Sequence, residues 1–406
     1  MTDSVYAVAT MDSKGAELLW MATQLRQAGI RVKTVDVGTQ LTSEFPSDVT
    51  RKEVLTAAGI DAVDHLDRGA AVAKMSDALQ AFLLAESAAG RVAGVIGLGG
   101  SGGTALITKA MQALPIGLPK LMVSTVASGN VGPYVGCSDI TMMYSVVDVA
   151  GLNVVSEVIL SNAAHAMAGM VTHRSKLSSS RQAIGMTMFG VTTPCVDRVR
   201  KQLELKGYDC LVFHATGAGG RAMEQLVASG LITAVLDITT TEVADEIVGG
   251  VFPAGPHRFK QLLASQVPLV LSLGALDMVN FGALDTVPEQ FRNRKLHVHN
   301  SQVTLMRTSV EENRRIARWI ADKLNRSTAP LTLVIPEGGL SLLDVPGQPF
   351  YDPEANTALF DELTSQLQVN DNRRLIRLPF SINAPEFSDA LLQYFFELKG
   401  TKTWQN

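Results

Sequence analysis

The segment Val92-Ala93-Gly94-Val95-Ile96-Gly97-Leu98-Gly99-Gly100-Ser101-Gly102-Gly103-Thr104 constrains this chain more than any other. An apolar run enters a glycine-rich turn, and the residues after Thr104 read as a helix. Glycine lets a backbone approach a ligand closely. The first amides of a helix lack partners inside it and carry positive dipole charge. A strand, a glycine turn and a helix start therefore make a cradle for phosphate or carboxylate. The segment contains Gly97, Gly99 and Gly102 in G-x-G-x-x-G spacing, which alone is a weak signal. A dinucleotide site also needs an acid beyond the next strand. That strand ends Ser124-Thr125-Val126-Ala127-Ser128-Gly129, without one, which disfavours a nicotinamide cofactor. The lysine that follows a P-loop's last glycine is missing as well.

The rest of the chain repeats the same alternation. Apolar runs at Val5–Ala9, Arg31–Val37, Val92–Leu98 and Lys120–Thr125 are separated by helical segments. After the polar stretch Thr172–Arg181 the pattern restarts, with strands at Gln182–Phe189, Cys210–His214, Ala234–Ile238, Pro268–Leu273 and Leu331–Ile335. At 406 residues the chain is too long for one ordinary core. The fold expected is α/β: two doubly wound, Rossmann-like domains with mostly parallel sheets, residues 1–175 and 182–406, and a cleft between them.

Composition excludes several classes. The net charge of −4 and the lack of a basic block argue against nucleic acid. Three scattered cysteines, Cys137, Cys195 and Cys210, fit neither a disulfide framework nor a CxxC metal site. With no signal-like start and no uninterrupted spanning run, a cytoplasmic protein without a membrane partner is expected.

Candidate residues gather where strands end. Thr10, Asp12 and Lys14 follow the first strand, on the same sheet edge as the glycine turn. Lys14 would offset phosphate charge, Asp12 would hold a hydroxyl or Mg²⁺, and Asp12 or Ser13 would cap the helix. Gly97, Gly99, Gly100, Ser101, Gly102, Gly103 and Thr104 form the cradle, with Thr125, Ser128 and Gly129 beyond the next strand. In the second half, Thr216, Gly217, Gly219, Gly220 and Arg221 form another glycine turn with an anion fork. His214 ends its strand as an acid–base candidate. Glu242 and Asp245 share a helix face and would work opposite His214. His297 and His299 fall on one side if extended, but match no zinc spacing, so the metal remains open. No nucleophile elbow can be read.

Val95–Thr104, Ser124–Gly129, Met188–Cys195, Val212–Gly217, Leu236–Asp245 and Leu276–Gly282 together resemble an uncharacterised family typified by the plant tomato mosaic virus resistance protein. The resemblance covers nearly the whole chain. It implies an ATP-binding, two-domain homodimer with nucleotide contacts at Thr10, Asp12, Lys14 and the Gly97–Thr104 turn. Ala9 and Ser13 stand where that family has glycine and threonine. The plant member's antiviral role rests on a viral partner and does not carry over. The function expected is an ATP- and Mg²⁺-binding enzyme acting on a small anionic metabolite, by phosphoryl transfer or ATP-assisted activation. The alternatives are a nucleotide-responsive binding module and a metal-assisted lyase or hydrolase centred on the second half.

Overall fold

The computed structural model describes residues 3–40, 43–63, 66–174 and 181–400. The chain divides into units of residues 1–177 and 178–406. Most of the stretch expected to link them, residues 175–180, lies outside the described residues.

In the amino-terminal unit the order is β1 (Ser4–Ala9), α1 (Met11–Gln27), β2 (Val32–Asp36), α2 (Arg51–Ala57), α3 (Arg68–Ala88), β3 (Val92–Gly99), α4 (Ser101–Gln112), β4 (Lys120–Ser124), α5 (Gly132–Val135), β5 (Thr141–Tyr144) and α6 (Val154–Thr172). The strands form one sheet in the order β2-β1-β3-β4-β5, parallel throughout. β1 and β3 are buried at every position, which is why they read as continuous apolar runs. Leu18, Met21 and Leu25 of α1 and Leu160 and Met167 of α6 cover the face presenting Val5, Ala7 and Ile96. Val54, Met75, Leu79 and Ile107 of α2, α3 and α4 cover the face presenting Tyr6, Val8 and Val95. Among the described residues α6 alone is long and apolar enough to cross a membrane, and its buried residues are those packed on the sheet.

The carboxy-terminal unit contains β6 (Ala183–Met188), α7 (Thr193–Leu205), β7 (Asp209–His214), α8 (Ala218–Ala228), β8 (Ala234–Thr239), α9 (Thr241–Val248), α10 (Lys260–Ala264), β9 (Leu269–Gly274), β10 (Met278–Phe281), β11 (Leu296–Asn300), β12 (Val303–Arg307), α11 (Val310–Leu324), β13 (Leu331–Pro336), α12 (Pro353–Gln366), β14 (Arg373–Leu378) and α13 (Pro385–Gly400). Its main sheet runs β14-β13-β9-β8-β6-β7, again all parallel. Counted from its own first strand, this is the 2-1-3-4-5 order of the other unit with one strand added. The helix arrangement matches too. The first and last helices, α7 and α13, share one face, and α8, α9, α11 and α12 lie on the other. Two doubly wound units are thus present. The antiparallel sheet β10-β12-β11, inserted after β9, is not apparent in the sequence pattern.

Charge is buried inside the second unit. The Arg258 side chain is fully enclosed by Glu224, Asp237 and Glu242, with Nη1 at 2.9 Å from Glu224 and Nη2 at 2.6 Å from Asp237. Asp237 also accepts the Thr187 hydroxyl at 2.7 Å, which ties β6 to β8. A second buried group surrounds Arg307, whose guanidinium reaches Asp344, Asn356 and the carbonyls of Phe350 and Asp277. Asp277 accepts the Ser341 hydroxyl at 2.8 Å through one oxygen, and its other oxygen has no partner among the described residues. Burial, with Asp344 nearby, pushes the Asp277 carboxyl up.

Two stability measurements follow from these networks. Arg258→Met leaves three carboxylates buried without their cation, and should cost the second unit about 3–5 kcal/mol in a urea titration; a loss below about 1 kcal/mol would show that the network is dispensable. For Asp277, the folded state keeps a proton that the unfolded chain releases near pH 4. Its stabilising contribution is therefore complete at acid pH and declines as pH rises toward neutrality, by about 1.4 kcal/mol per pH unit in that window. Asp277→Asn should flatten this slope and leave the protein more stable than wild type at pH 8. An unchanged slope would mean that Asp277 does not titrate.

Candidate functional site

In each unit the first strand sends its helix to one face and the third sends its helix to the other. The connections part there, and in such sheets ligands bind at the carboxyl ends of the strands flanking that point. In the amino-terminal unit the flanking strands are β1 and β3, with Val8 opposite Gly97. β4 lies on the far side of β3, with Gly99 opposite Ser124. The sheet therefore brings Thr10, Asp12 and Lys14 to the same edge as the glycine turn and Thr125.

The glycines of that turn differ in what a side chain would meet. At Gly97 a Cβ would lie 2.7 Å from Ile107 and 2.8 Å from Met122, so this glycine seats α4 on the sheet. At Gly99 it would press on the backbone of Gly103 and Thr104. Gly102 has nothing within 4 Å, and at Gly100 and Gly103 the nearest atoms are 3.9 Å away. Packing therefore accounts for Gly97 and Gly99 but not for Gly100, Gly102 or Gly103. The helix begins at Ser101 rather than Thr104, with Gly100 as an N-cap that has no side chain to bond. Ser101, Gly102 and Gly103 thus supply the unpaired amides of its first turn. The Thr104 hydroxyl is turned inward, bonded to Ser124 at 2.7 Å. Thr125 donates its amide to Gly99 at 3.4 Å, and Ser128 and Gly129 lie exposed in the turn beyond β4.

The start of α1 differs from expectation. Thr10, not Asp12 or Ser13, is the N-cap, and its hydroxyl meets that of Ser13 at 3.1 Å. The cap is supplied from a neighbouring strand: Asp36, the last residue of β2, accepts the amides of Met11 at 3.1 Å and Gly38 at 2.8 Å through one oxygen. Asp12 accepts the Gln40 amide at 3.1 Å. Lys14 leaves helical geometry, at φ −133° and ψ 22°, because the chain kinks there. It is half-buried and forms no ion pair with any described residue. The two helix starts at this edge thus contrast. α1 is closed by a carboxylate of the protein, and α4 is not. Asp36 was not singled out from the sequence, because its strand precedes the glycine turn and only the sheet order places it beside β1.

The glycine turn of the second unit has another physical basis. A Cβ at Gly219 would overlap the His214 carbonyl, and one at Gly220 would overlap Glu242. Gly217 has φ +75°, a conformation that favours glycine, and it donates its amide to Glu242 at 2.8 Å. A buried carboxylate of the protein therefore already stands at the start of α8, where an anion was expected. Glu242 is further held by Arg258, and burial pushes its carboxyl up. Asp245 accepts the amides of Asn280 and Phe252, both at 2.8 Å, and burial raises it to about 7. Both carboxylates are fully buried and bonded within the protein, rather than presented opposite His214. His214 stacks on Phe189 at 5.3 Å, with its pKa lowered by burial. The Thr216 hydroxyl bonds the His214 carbonyl at 3.4 Å, and Arg221 is exposed, 3.5 Å from the Pro253 carbonyl.

The point where connections part in this unit, between β6 and β8, is filled by the protein. Thr192 and Thr239 bond each other at 2.7 Å, both fully buried. Leu342, in the excursion after β13, donates its amide to Val191, and Phe350 packs with Phe189, Val191 and Ala275. His297 and His299 do lie on an extended strand, β11. Among the described residues, no three His, Cys, Asp or Glu side chains gather as a metal site would require.

Comparison with known proteins assigns both units. The amino-terminal domain of an uncharacterised protein family, UPF0261, matches residues 3–176, and its carboxy-terminal domain matches residues 181–399. A UPF0261 protein of Rhizobium meliloti is 50% identical over 97% of this chain and 98% of its own length. A UPF0261 protein of Clostridium tetani is 45% identical over 96% of this chain and 98% of its own. The ToMV resistance protein Tm-1 of Solanum lycopersicum is 45% identical over 97% of this chain, but the match spans only 55% of the plant protein. Two Rossmann-like α/β units, each matched by its own family domain, make this chain a member of the UPF0261 family.

Proposed function

We propose that this chain binds ATP in its amino-terminal unit, with the phosphates over the first turn of α4. The observation that carries the reading is Gly102. It is an exposed helix residue with room for a side chain, yet glycine is a poorer helix former than alanine, by up to about 1 kcal/mol in a helix interior. A ligand that must approach the backbone accounts for it. Gly100 and Gly103 fit the same account. Lys14, without an ion-pair partner among the described residues at the same edge, supplies positive charge, and Thr125 and Ser101 supply hydroxyls. Asp12 would hold Mg²⁺ against the phosphates, where the ion offsets their charge.

The reaction class that suits such a site is phosphoryl transfer or ATP-assisted activation of a small anionic metabolite, which needs positioning and charge neutralisation more than a strong nucleophile. His214, Thr216 and Arg221 remain the contacts proposed for that metabolite. A second reading is a nucleotide-responsive binding module. It draws support from Glu242 and Asp245, whose carboxylates serve the interior instead of facing a substrate. Either reading is proposed for a cytoplasmic homodimer without nucleic-acid or membrane partners. The homodimer follows from the family resemblance, and the exclusion of nucleic acid from the net charge of −4.

Titration calorimetry of the full chain with ATP and Mg²⁺ should show saturable binding. Gly102→Ala should then move two quantities in opposite directions. It should stabilise the free protein by about 0.5–1 kcal/mol through helix propensity, and it should weaken ATP at least tenfold by placing a methyl group in the cradle. A variant that gains stability and keeps its ATP affinity would refute the reading. Release of ADP, AMP or phosphate in the presence of a metabolite pool separates the enzyme from the module.

A further inference from the structure

Exposed apolar side chains are not spread evenly over this chain. Sixteen large ones stand exposed among the described residues, and six of them fall between Tyr144 and Val158. Scattered apolar residues need no explanation, whereas a concentration of them marks an interaction surface. β5 ends at Tyr144 on the outer edge of its sheet. The turn after it is held against α6, where Ser145, Val147 and Val149 share a small cavity with Ser156 and Ile159. Val146 lies in that turn, 55% exposed and at φ +65°. A β-branched residue is strained in that conformation, and neither apolar cluster of the unit includes it.

On α6, Val155, Val158, Asn162, Ala166 and Gly169 follow one another at intervals of three or four, which places them on one helix face. The first four are exposed, and Gly169 has nothing within 4 Å of where a side chain would begin. Helices that lie on membranes carry lysine or arginine on their polar side, and α6 carries neither. None of the five residues is charged, so the face matches a surface that is uncharged too. The face is also self-complementary. Its intervals read the same in both directions from Asn162, with bulky Val155 and Val158 on one side and small Ala166 and Gly169 on the other. A second copy laid antiparallel about Asn162 sets those valines against Ala166 and Gly169. It also sets the Asn162 amide, both donor and acceptor, against itself. A two-fold interface requires such matching of a surface with its own copy. Half the circumference of a helix about 28 Å long and 10 Å across is roughly 450 Å². With Tyr144, Val146 and Leu152 beside it, the face comes close to the ~800 Å² per partner of a stable dimer.

We infer that this face seats the same face of a second copy, with the two α6 helices antiparallel about Asn162. The inference rests on the homodimer proposed above and gives it an interface. Its test is sedimentation velocity of the full chain over a range of concentrations, with circular dichroism as the check on folding. Wild type should be dimeric. Val158→Asp changes a residue that is 58% exposed in the single chain, so it should keep the helical spectrum. It should raise the dimer dissociation constant about a hundredfold or more, because the two-fold buries two carboxylates. Leu205→Asp, at an exposed position of the other unit, should leave that constant unchanged. On oxidation with copper phenanthroline, Asn162→Cys should give a disulfide-linked dimer, since identical residues come within bonding distance near a two-fold axis, and Leu205→Cys should not. A wild-type dimer that survives Val158→Asp, or that forms no Asn162→Cys disulfide, would overturn this interface and leave the homodimer standing. A monomeric wild type would refute the homodimer and the interface together, and its flotation with phosphatidylcholine vesicles would give the face to lipid instead.

Discussion

Everything at the carboxyl edge of the two main sheets depends on one constraint of parallel sheets. Where the first and third strands send their helices to opposite faces, no connection crosses the gap between them, and backbone amides and strand ends are left at a crevice. The polar groups there must be satisfied by something. The two units share strand order and helix arrangement, so they meet the same requirement, and they meet it differently. The carboxy-terminal unit uses its own chain: Thr192 bonded to Thr239, Leu342 bonded to Val191, and Phe350 packed with Phe189 and Val191 after β6. At the corresponding edge of the amino-terminal unit, Gly100, Gly102 and Gly103 have no packing neighbour closer than 3.9 Å to where a side chain would begin.

Much of the fold could be read from the sequence because burial is unambiguous in a doubly wound sheet. β1, β3, β8, β9 and β13 are buried along their whole length, and apolar runs between helical stretches identify them without any partner being known. β5 and β11 lack that signal because their side chains are largely exposed, and β10, although buried, is only four residues long and carries Asn280. Strand order was not legible at all, since it depends on contacts distant in sequence. That gap hid Asp36, which becomes adjacent to the glycine-turn edge only once β2 is known to pair with β1.

The candidate sites show a different limit. Phe213–Glu224 and Val95–Thr104 look alike in sequence, each a strand, a glycine turn and a helix. In the folded protein Gly217, Gly219 and Gly220 answer to φ, to the His214 carbonyl and to Glu242. Glu242 in turn is fixed by Arg258, which also binds Asp237 and Glu224. Composition cannot distinguish a glycine required by its own φ or by a neighbouring atom from one that has room for a side chain, because the deciding contacts exist only in the folded chain.

The same distinction explains how one chain can carry a stable interior and a costly edge. In the second unit, the acids that resemble catalytic groups in sequence lie inside, where burial raises Glu242 and Asp245 and where neighbouring amides and Arg258 hold them. Those groups make the fold specific. In the first unit, α4 forgoes a capping side chain and accepts glycine at two positions of its first turn. Helix propensity argues against glycine within the helix, although glycine is a tolerated N-cap. Those glycines, with no packing contact that would demand them, are the observation on which the proposed site rests. The carboxylate that closes α1 through Met11 has no counterpart among the described residues at the start of α4, and the proposed phosphate site rests on that contrast.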